Sequence, residues 1–182
     1  MPLDRQLELA RGIATLAPSS FVSLDPFELI RDDTVAQWRT VLAEIDALFA
    51  GGDDLRLSQD PSAAIPAMAG ERLRLLVLKQ AERGGALLDL RANAARRWEA
   101  RVDRVLDVTG AGDAFAGGFL AGWLKDGDLP RSLAQGVIAA SFAVEDWGSR
   151  GLVRAAPADA RERLEAWFPE LSTDQLAAQA TR

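Results

Sequence analysis

Eight consecutive residues, Asp107-Val108-Thr109-Gly110-Ala111-Gly112-Asp113-Ala114, combine two features suited to chemistry on an anion. Glycines flank an alanine, an aspartate follows at once, and a small-residue-rich apolar run extends from Phe115 to Leu124. A loop of this kind opening a helix has backbone N–H groups without internal partners, free to point at an anion. A carboxylate beside such an anion hole accepts the proton of an attacking hydroxyl. The pair suggests phosphoryl transfer to an alcohol. The chain contains no cysteine, histidine or tyrosine. That removes thiolate nucleophiles, Ser-His-Asp chemistry and Cys- or His-ligated zinc, and leaves proton transfer to Asp, Glu or Lys.

The elements that must position this loop follow from composition and periodicity. A chain of 182 residues, 48% apolar and 26% charged, is expected to form one soluble domain over 1–182. Its net charge of -6 argues against nucleic acid as a partner. No signal peptide or membrane-length apolar run is visible, so a cytoplasmic protein is the expectation. Leu3, Leu7, Ala10, Ile13 and Leu16 share one face of an amphipathic helix. Short strands are expected at Phe21 to Leu24, Leu73 to Lys79 (buried) and Ala86 to Leu90, with a further strand candidate at Val102 to Val108 running into the glycine loop. Helices are expected at Thr34 to Ala47 (capped by Asp32 or Asp33), Ser62 to Gly70, and about 112–125, 130–145 and 157–168. A brief apolar segment, Ala47 to Ala50, leads to Gly51-Gly52-Asp53-Asp54. The segment 171–182 is expected to be a flexible tail. Alternating strands and helices give an α/β layered fold with a largely parallel sheet. Sites in such sheets lie beyond the carboxyl ends of the strands. Asp25, Asp54, Lys79 and Asp107 all follow strand candidates and are expected on one rim with Asp113.

The run from Asp107 to Phe115 closely resembles the C-terminal signature of the PfkB carbohydrate kinases, a ribokinase-like family, usually written Asp-Thr-x-Gly-Ala-Gly-Asp-x-Phe. Only Val108 departs from it. Ser23-Leu24-Asp25-Pro26 with Trp38, Asp46 to Leu57, Val77 to Gly85 and Ser141 to Leu152 resemble further family segments in the same order. The resemblance implies a three-layer α/β/α fold and an ATP-dependent kinase acting on a small sugar or nucleoside. It assigns Asp113 as general base and Gly110, Ala111 and Gly112 as the anion hole, suited to a loose transition state stabilised by preorganised donors. It places Lys79, Ala81, Gly85 and Gly148 at the nucleotide. It gives Asp54 to Mg2+ through water and Asp107 to a monovalent cation such as K+.

The chain also departs from the family pattern. Gly51 and Asp54 stand where the family carries asparagine and glutamate. Ala81 stands where glycine is usual, which is unfavourable if that backbone needs a positive φ. Phe27 follows the Asp-Pro pair in place of asparagine. The N-terminal strands and β lid that carry most sugar contacts are expected to be missing, or to lie upstream of a misassigned Met1. The competing reading is therefore a truncated, catalytically incompetent nucleotide-binding remnant, or a fragment whose exposed sheet edge is covered by a partner or a second copy. Simpler roles stand beside the sharp ones. Asp113 could be a helix-capping or first-turn acid, and Lys79 could be a solvated strand end. Asp25 reads as a turn residue, and Gly117, Gly118 and Gly122 as helix–sheet packing. Arg96-Arg97 reads as a solvated charge run, and Trp38, Trp98, Trp123, Trp147 and Trp167 as packing residues.

Overall fold

In the computed structural model, which describes residues 2–26 and 28–171, the apolar runs of the N-terminal half become the middle of a sheet. Continuous Leu/Val/Phe runs suit strands buried on both faces. β3 (Ala47–Gly51) and β5 (Leu75–Lys79) pair in parallel, with Ala47 opposite Leu75 and Gly51 opposite Lys79. The short β1 (Ser23–Leu24) extends the sheet in parallel beside β3. On the other side β6 (Gly85–Asp89) and β7 (Ala94–Trp98) continue it antiparallel, giving the order β1-β3-β5-β6-β7. A second parallel pair joins β2 (Ile30–Arg31) to β4 (Leu55–Arg56). The sheet is thus mixed, with parallel pairing on its β1 side.

Strand alternation sends Leu48, Ala50, Leu76 and Leu78 into one core with Trp38 and Ile65. Trp38 lies on α2 (Val35–Leu42) and Ile65 on α3 (Pro61–Met68), both fully buried. The Trp38 indole donates to the Leu29 carbonyl at 3.2 Å, so its polar edge is satisfied inside the core. Residues on the opposite sheet face, Phe49, Leu75, Val77 and Leu87, are buried as well.

The C-terminal part is helical: α4 (Ala111–Asp126), α5 (Leu129–Val144), α6 (Arg150–Arg154) and α7 (Pro157–Trp167). Gly127 ends α4 in the left-handed conformation, and the Asp128 carboxylate caps α5 by accepting from the Arg131 N–H. Gly118 and Gly122 let the two helices touch. A Cβ on Gly118 would lie 2.7 Å from Ala139 Cβ, and one on Gly122 would lie 2.4 Å from Gln135 Oε1. The packing is therefore helix on helix, where helix on sheet was expected. The described residues gather into two compact units, Met1–Glu99 and Ala100–Arg182. That they unfold together as the single domain expected from length is a proposal that one calorimetric transition would support.

Several expectations need correction. Val102 to Val108 is not a strand: Val105, Leu106 and Val108 are exposed, and the segment's N–H groups reach a helix end. Asp103, Arg104 and Asp107 interrupt its apolar run, and the remaining strand is instead β7, whose Arg96 and Arg97 are solvated on the sheet edge. The first helix, α1 (Leu3–Leu16), buries Gln6 and Ala10, while Ile13 and Leu16 are exposed. The next helix ends at Leu42, five residues early, and neither Asp32 nor Asp33 caps it. Asp32 accepts from the Ser58 N–H, and Asp33 pairs with Arg31. Trp147 is 61% exposed and is no packing residue. The described sheet ends in the two-residue β1 on one side and the arginine-bearing β7 on the other, and that a partner or second copy covers an edge is a proposal. Phe27 and the tail from Ser172 onward lie outside the described residues.

Candidate functional site

The sequence-assigned residues form one cluster in each unit. In the first, the carboxyl ends of the parallel strands converge as α/β topology predicts. Asp25 follows β1, Lys79 ends β5, and the two form an ion pair with both side chains largely buried. Lys79 is therefore not a solvated lysine, and Asp25 is more than a turn residue. Between them β3 ends at Gly51, whose N–H donates to Asp54 Oδ2 at 2.7 Å. A Cβ on Gly51 would lie 2.9 Å from that same oxygen, so glycine here admits the Asp54 carboxylate over the backbone. Among the described residues no group of three His, Cys, Asp or Glu side chains is placed to hold a metal directly.

After β5 the chain turns through a short 3-10 helix, Ala81–Arg83, into β6. Ala81 has φ +51, the positive φ that glycine would adopt at little cost. Gly84 also has positive φ, and a Cβ on it would strike the Trp98 carbonyl at 2.0 Å. A Cβ on Gly85 would meet Leu78 O at 2.3 Å and the Trp98 ring at 2.4 Å. Close packing against Trp98 thus accounts for Gly85 without a ligand.

The second cluster is the glycine loop. Gly110 sits at the N-cap of α4 with φ +79, left-handed, where an L-residue is strained. The Ala111 N–H is taken by the Val108 carbonyl at 3.2 Å, which removes one of the expected anion-hole donors. The first helical bond runs from the Ala114 N–H to Gly110 O at 2.8 Å. The N–H groups of Gly112 and Asp113 precede it, and no partner for them occurs among the described residues. They form an open pair of donors at a helix N-terminus. Asp113 is exposed in that first turn and makes no cap bond, so of the two simpler roles the first-turn acid fits it and capping does not.

Asp107 anchors the loop from below. Its Oδ1 accepts from the Thr109 N–H and its Oδ2 from the Gly148 N–H, each at 3.0 Å. The Thr109 N–H, then the Gly148 N–H and the Thr109 hydroxyl, hold its carboxyl below the ordinary aspartate value. Two assigned residues, Asp107 and Gly148, are thereby joined across 41 positions of sequence. Nearby, the Arg163 guanidinium donates to Ser141 Oγ and Glu145 Oε2; the arginine belongs to no motif and had no signal in the sequence.

Comparison with known proteins follows the same segments. The description "pfkB family carbohydrate kinase" matches residues 12–155. Fructoselysine 6-kinase of Escherichia coli is 29% identical over 116 residues, which cover 62% of this chain and 41% of that protein. The nucleoside kinase of Methanocaldococcus jannaschii, an archaeal member of the ribokinase family, superposes with a TM-score of 0.69 at 22% identity, covering 91% of this chain and 54% of that one. Arabidopsis thaliana ribokinase, solved with ribose and ATP, gives the same TM-score at 18% identity, over 90% of this chain and 53% of that one. The chain therefore spans about two fifths of that curated relative's length and about half of the two solved structures.

Proposed function

The chain belongs to the pfkB family of carbohydrate kinases, and from that premise we propose that it serves ATP-dependent phosphorylation of a hydroxyl on a small sugar or nucleoside. The observation that carries the reading is the loop: a left-handed Gly110, open N–H groups on Gly112 and Asp113, and the Asp113 carboxylate beside them. In the transfer, the acceptor O–H loses its proton to Asp113 as its oxygen bonds the γ-phosphorus. The bond from that phosphorus to the β,γ-bridging oxygen breaks, and ADP leaves with the electron pair. Charge on the transferring group would be met by the two open N–H groups, which have no partner to give up first. The sequence assignment named Gly110, Ala111 and Gly112; here the Ala111 N–H is taken by the Val108 carbonyl, and the Asp113 N–H joins that of Gly112.

In the first unit, Asp54 would order a water of a largely hydrated Mg2+ carried by the phosphates, an ion that would neutralise phosphate charge. Asp54 suits that indirect role because one of its oxygens is already committed to Gly51. Lys79 would reach a phosphate by exchanging its Asp25 partner for it. K+ would engage Asp107 through lone pairs that Thr109 and Gly148 leave over. The nucleotide-side assignments of Ala81, Gly85 and Gly148 rest on the family resemblance.

A second reading, nucleotide binding without transfer, is favoured by the open Gly112 and Asp113 N–H groups, which would take up a phosphate whether or not an acceptor alcohol is present. A coupled assay of ADP release over a panel of sugars and nucleosides separates the two. Acceptor-dependent turnover supports transfer. Thermal stabilisation by ATP with no acceptor-dependent turnover supports binding alone.

A further inference from the structure

Deepening the kinase reading, we propose that Arg163 is a positioning residue for the glycine loop, acting through the last turn of α5. Arg163 projects from α7 and is 85% buried with its partner Glu145 nearly as deep, their side chains 15% and 19% exposed. Its guanidinium donates to Ser141 Oγ and to Glu145 Oε2, each at 2.5 Å. It also lies 3.9 Å from the Phe142 ring centroid and 5.2 Å from that of Trp167. A planar fork that bonds two partners while stacking on aromatic rings is a task for arginine that a lysine ammonium cannot reproduce.

The turn that Arg163 grips is the one that holds the loop. The Val144 carbonyl accepts from the Leu106 N–H at 2.7 Å and from the Asp107 N–H at 3.3 Å. The Glu145 carbonyl accepts from Arg104 Nη2 at 3.2 Å. Three residues on, the Gly148 N–H reaches the Asp107 carboxylate. Segment 144–148 thus holds Asp107 by its backbone and its side chain, and Asp107 in turn fixes Thr109, next to the left-handed Gly110. Ala100 to Gly110 forms no strand of its own, so these bonds are what shape it. An exposed ion pair would contribute little. This one is buried, forked and stacked, and it sits at the helix end whose carbonyls carry the loop.

Amide hydrogen exchange on the full chain tests the proposal. Arg163→Met is expected to speed exchange at Asp107, Thr109 and Gly148 by roughly tenfold or more, the scale of a lost charge-assisted hydrogen bond, while the Phe119 amide within α4 keeps its rate. Arg163→Lys, which keeps charge but not the fork, is expected to fall between. Unchanged rates at the three loop amides overturn the proposal, and so does an equal rise at every amide including Phe119. Should Arg163→Met fail to fold, Glu145→Gln is read on the same amides, and unchanged rates there overturn it. Turnover is measured in parallel, with kcat expected to fall and the KM for ATP to hold. A chain that never turns over yet shows the local exchange effect contradicts the kinase reading and leaves the positioning role standing.

Discussion

The central strands of the first unit and the loop segment of the second are fixed in place by different means. In Met1–Glu99 the strands β3 and β5 are buried on both faces, and Trp38, Leu42, Ile45 and Ile65 fill the space beside them with large side chains. From Ala100 onward, α4 and α5 approach through Gly118 and Gly122, and the segment before α4 leaves Val105, Leu106 and Val108 exposed. Its conformation depends on hydrogen bonds around Asp107. Apolar burial of the first kind is non-directional and large in sum. The second kind is directional and small, and it specifies where a few N–H groups point. The contrast teaches that bulk stability and placement of the proposed chemistry are separable in this chain.

The largest effect expected on that contrast comes from Trp38→Ala. It empties a fully buried site and removes one of the two donors to the Leu29 carbonyl, the other being the Thr34 hydroxyl, and should cost about 3–5 kcal/mol in chemical denaturation. Loop amide exchange that accelerates only in proportion to global unfolding would fit the separation; a selective rise at Gly148 would break it. Next in size, Gly118→Leu forces a side chain against Ala139 and the Gln135 backbone, and should cost about 1–3 kcal/mol. Denaturation of the variant measures it, and no loss would mean α4 and α5 are not in close contact. Smaller and of opposite sign, Ala81→Gly should stabilise the first unit by about 0.5–1 kcal/mol, because alanine is strained at φ +51. A loss of stability would show that the turn has a different backbone.

The smallest effect is one of pH. Backbone N–H groups lower the carboxyls of Asp60 (chiefly Ser62) and Asp107 (chiefly Thr109, then Gly148). A carboxyl depressed on folding contributes stability that is fully present above its unfolded value and is lost as pH falls through the folded one. Both contributions should therefore persist at neutral pH and fade below the ordinary aspartate value. A titration of side-chain carbonyl shifts that finds Asp107 at or above that value would contradict the bonding described for the loop.

Much of this was legible in the sequence where a local pattern has one physical solution. The apolar runs at β3 and β5, the glycine-opened helix α4 and the positive φ suspected at Ala81 all follow from short-range rules. Val102 to Val108 misled because an apolar run reads as a strand whether or not a neighbour exists to pair with it; here its N–H groups go to α5. β7 was hidden because an edge strand with Arg96 and Arg97 lacks alternation. The Lys79–Asp25 pair and the Arg163–Glu145–Ser141 cluster join residues far apart in the chain, and no local signal announces such contacts.

The central claim is that Asp113 serves the chemistry and contributes little to the fold. It is tested most directly by comparing Asp113→Asn with the unaltered chain for acceptor-dependent ADP release, ATP binding and unfolding. The account predicts a fall in turnover of roughly 10²–10⁴-fold, the range of a lost general base, with ATP affinity unchanged and stability altered by less than about 1 kcal/mol, as befits an exposed first-turn residue. Equal turnover in the two proteins would contradict it.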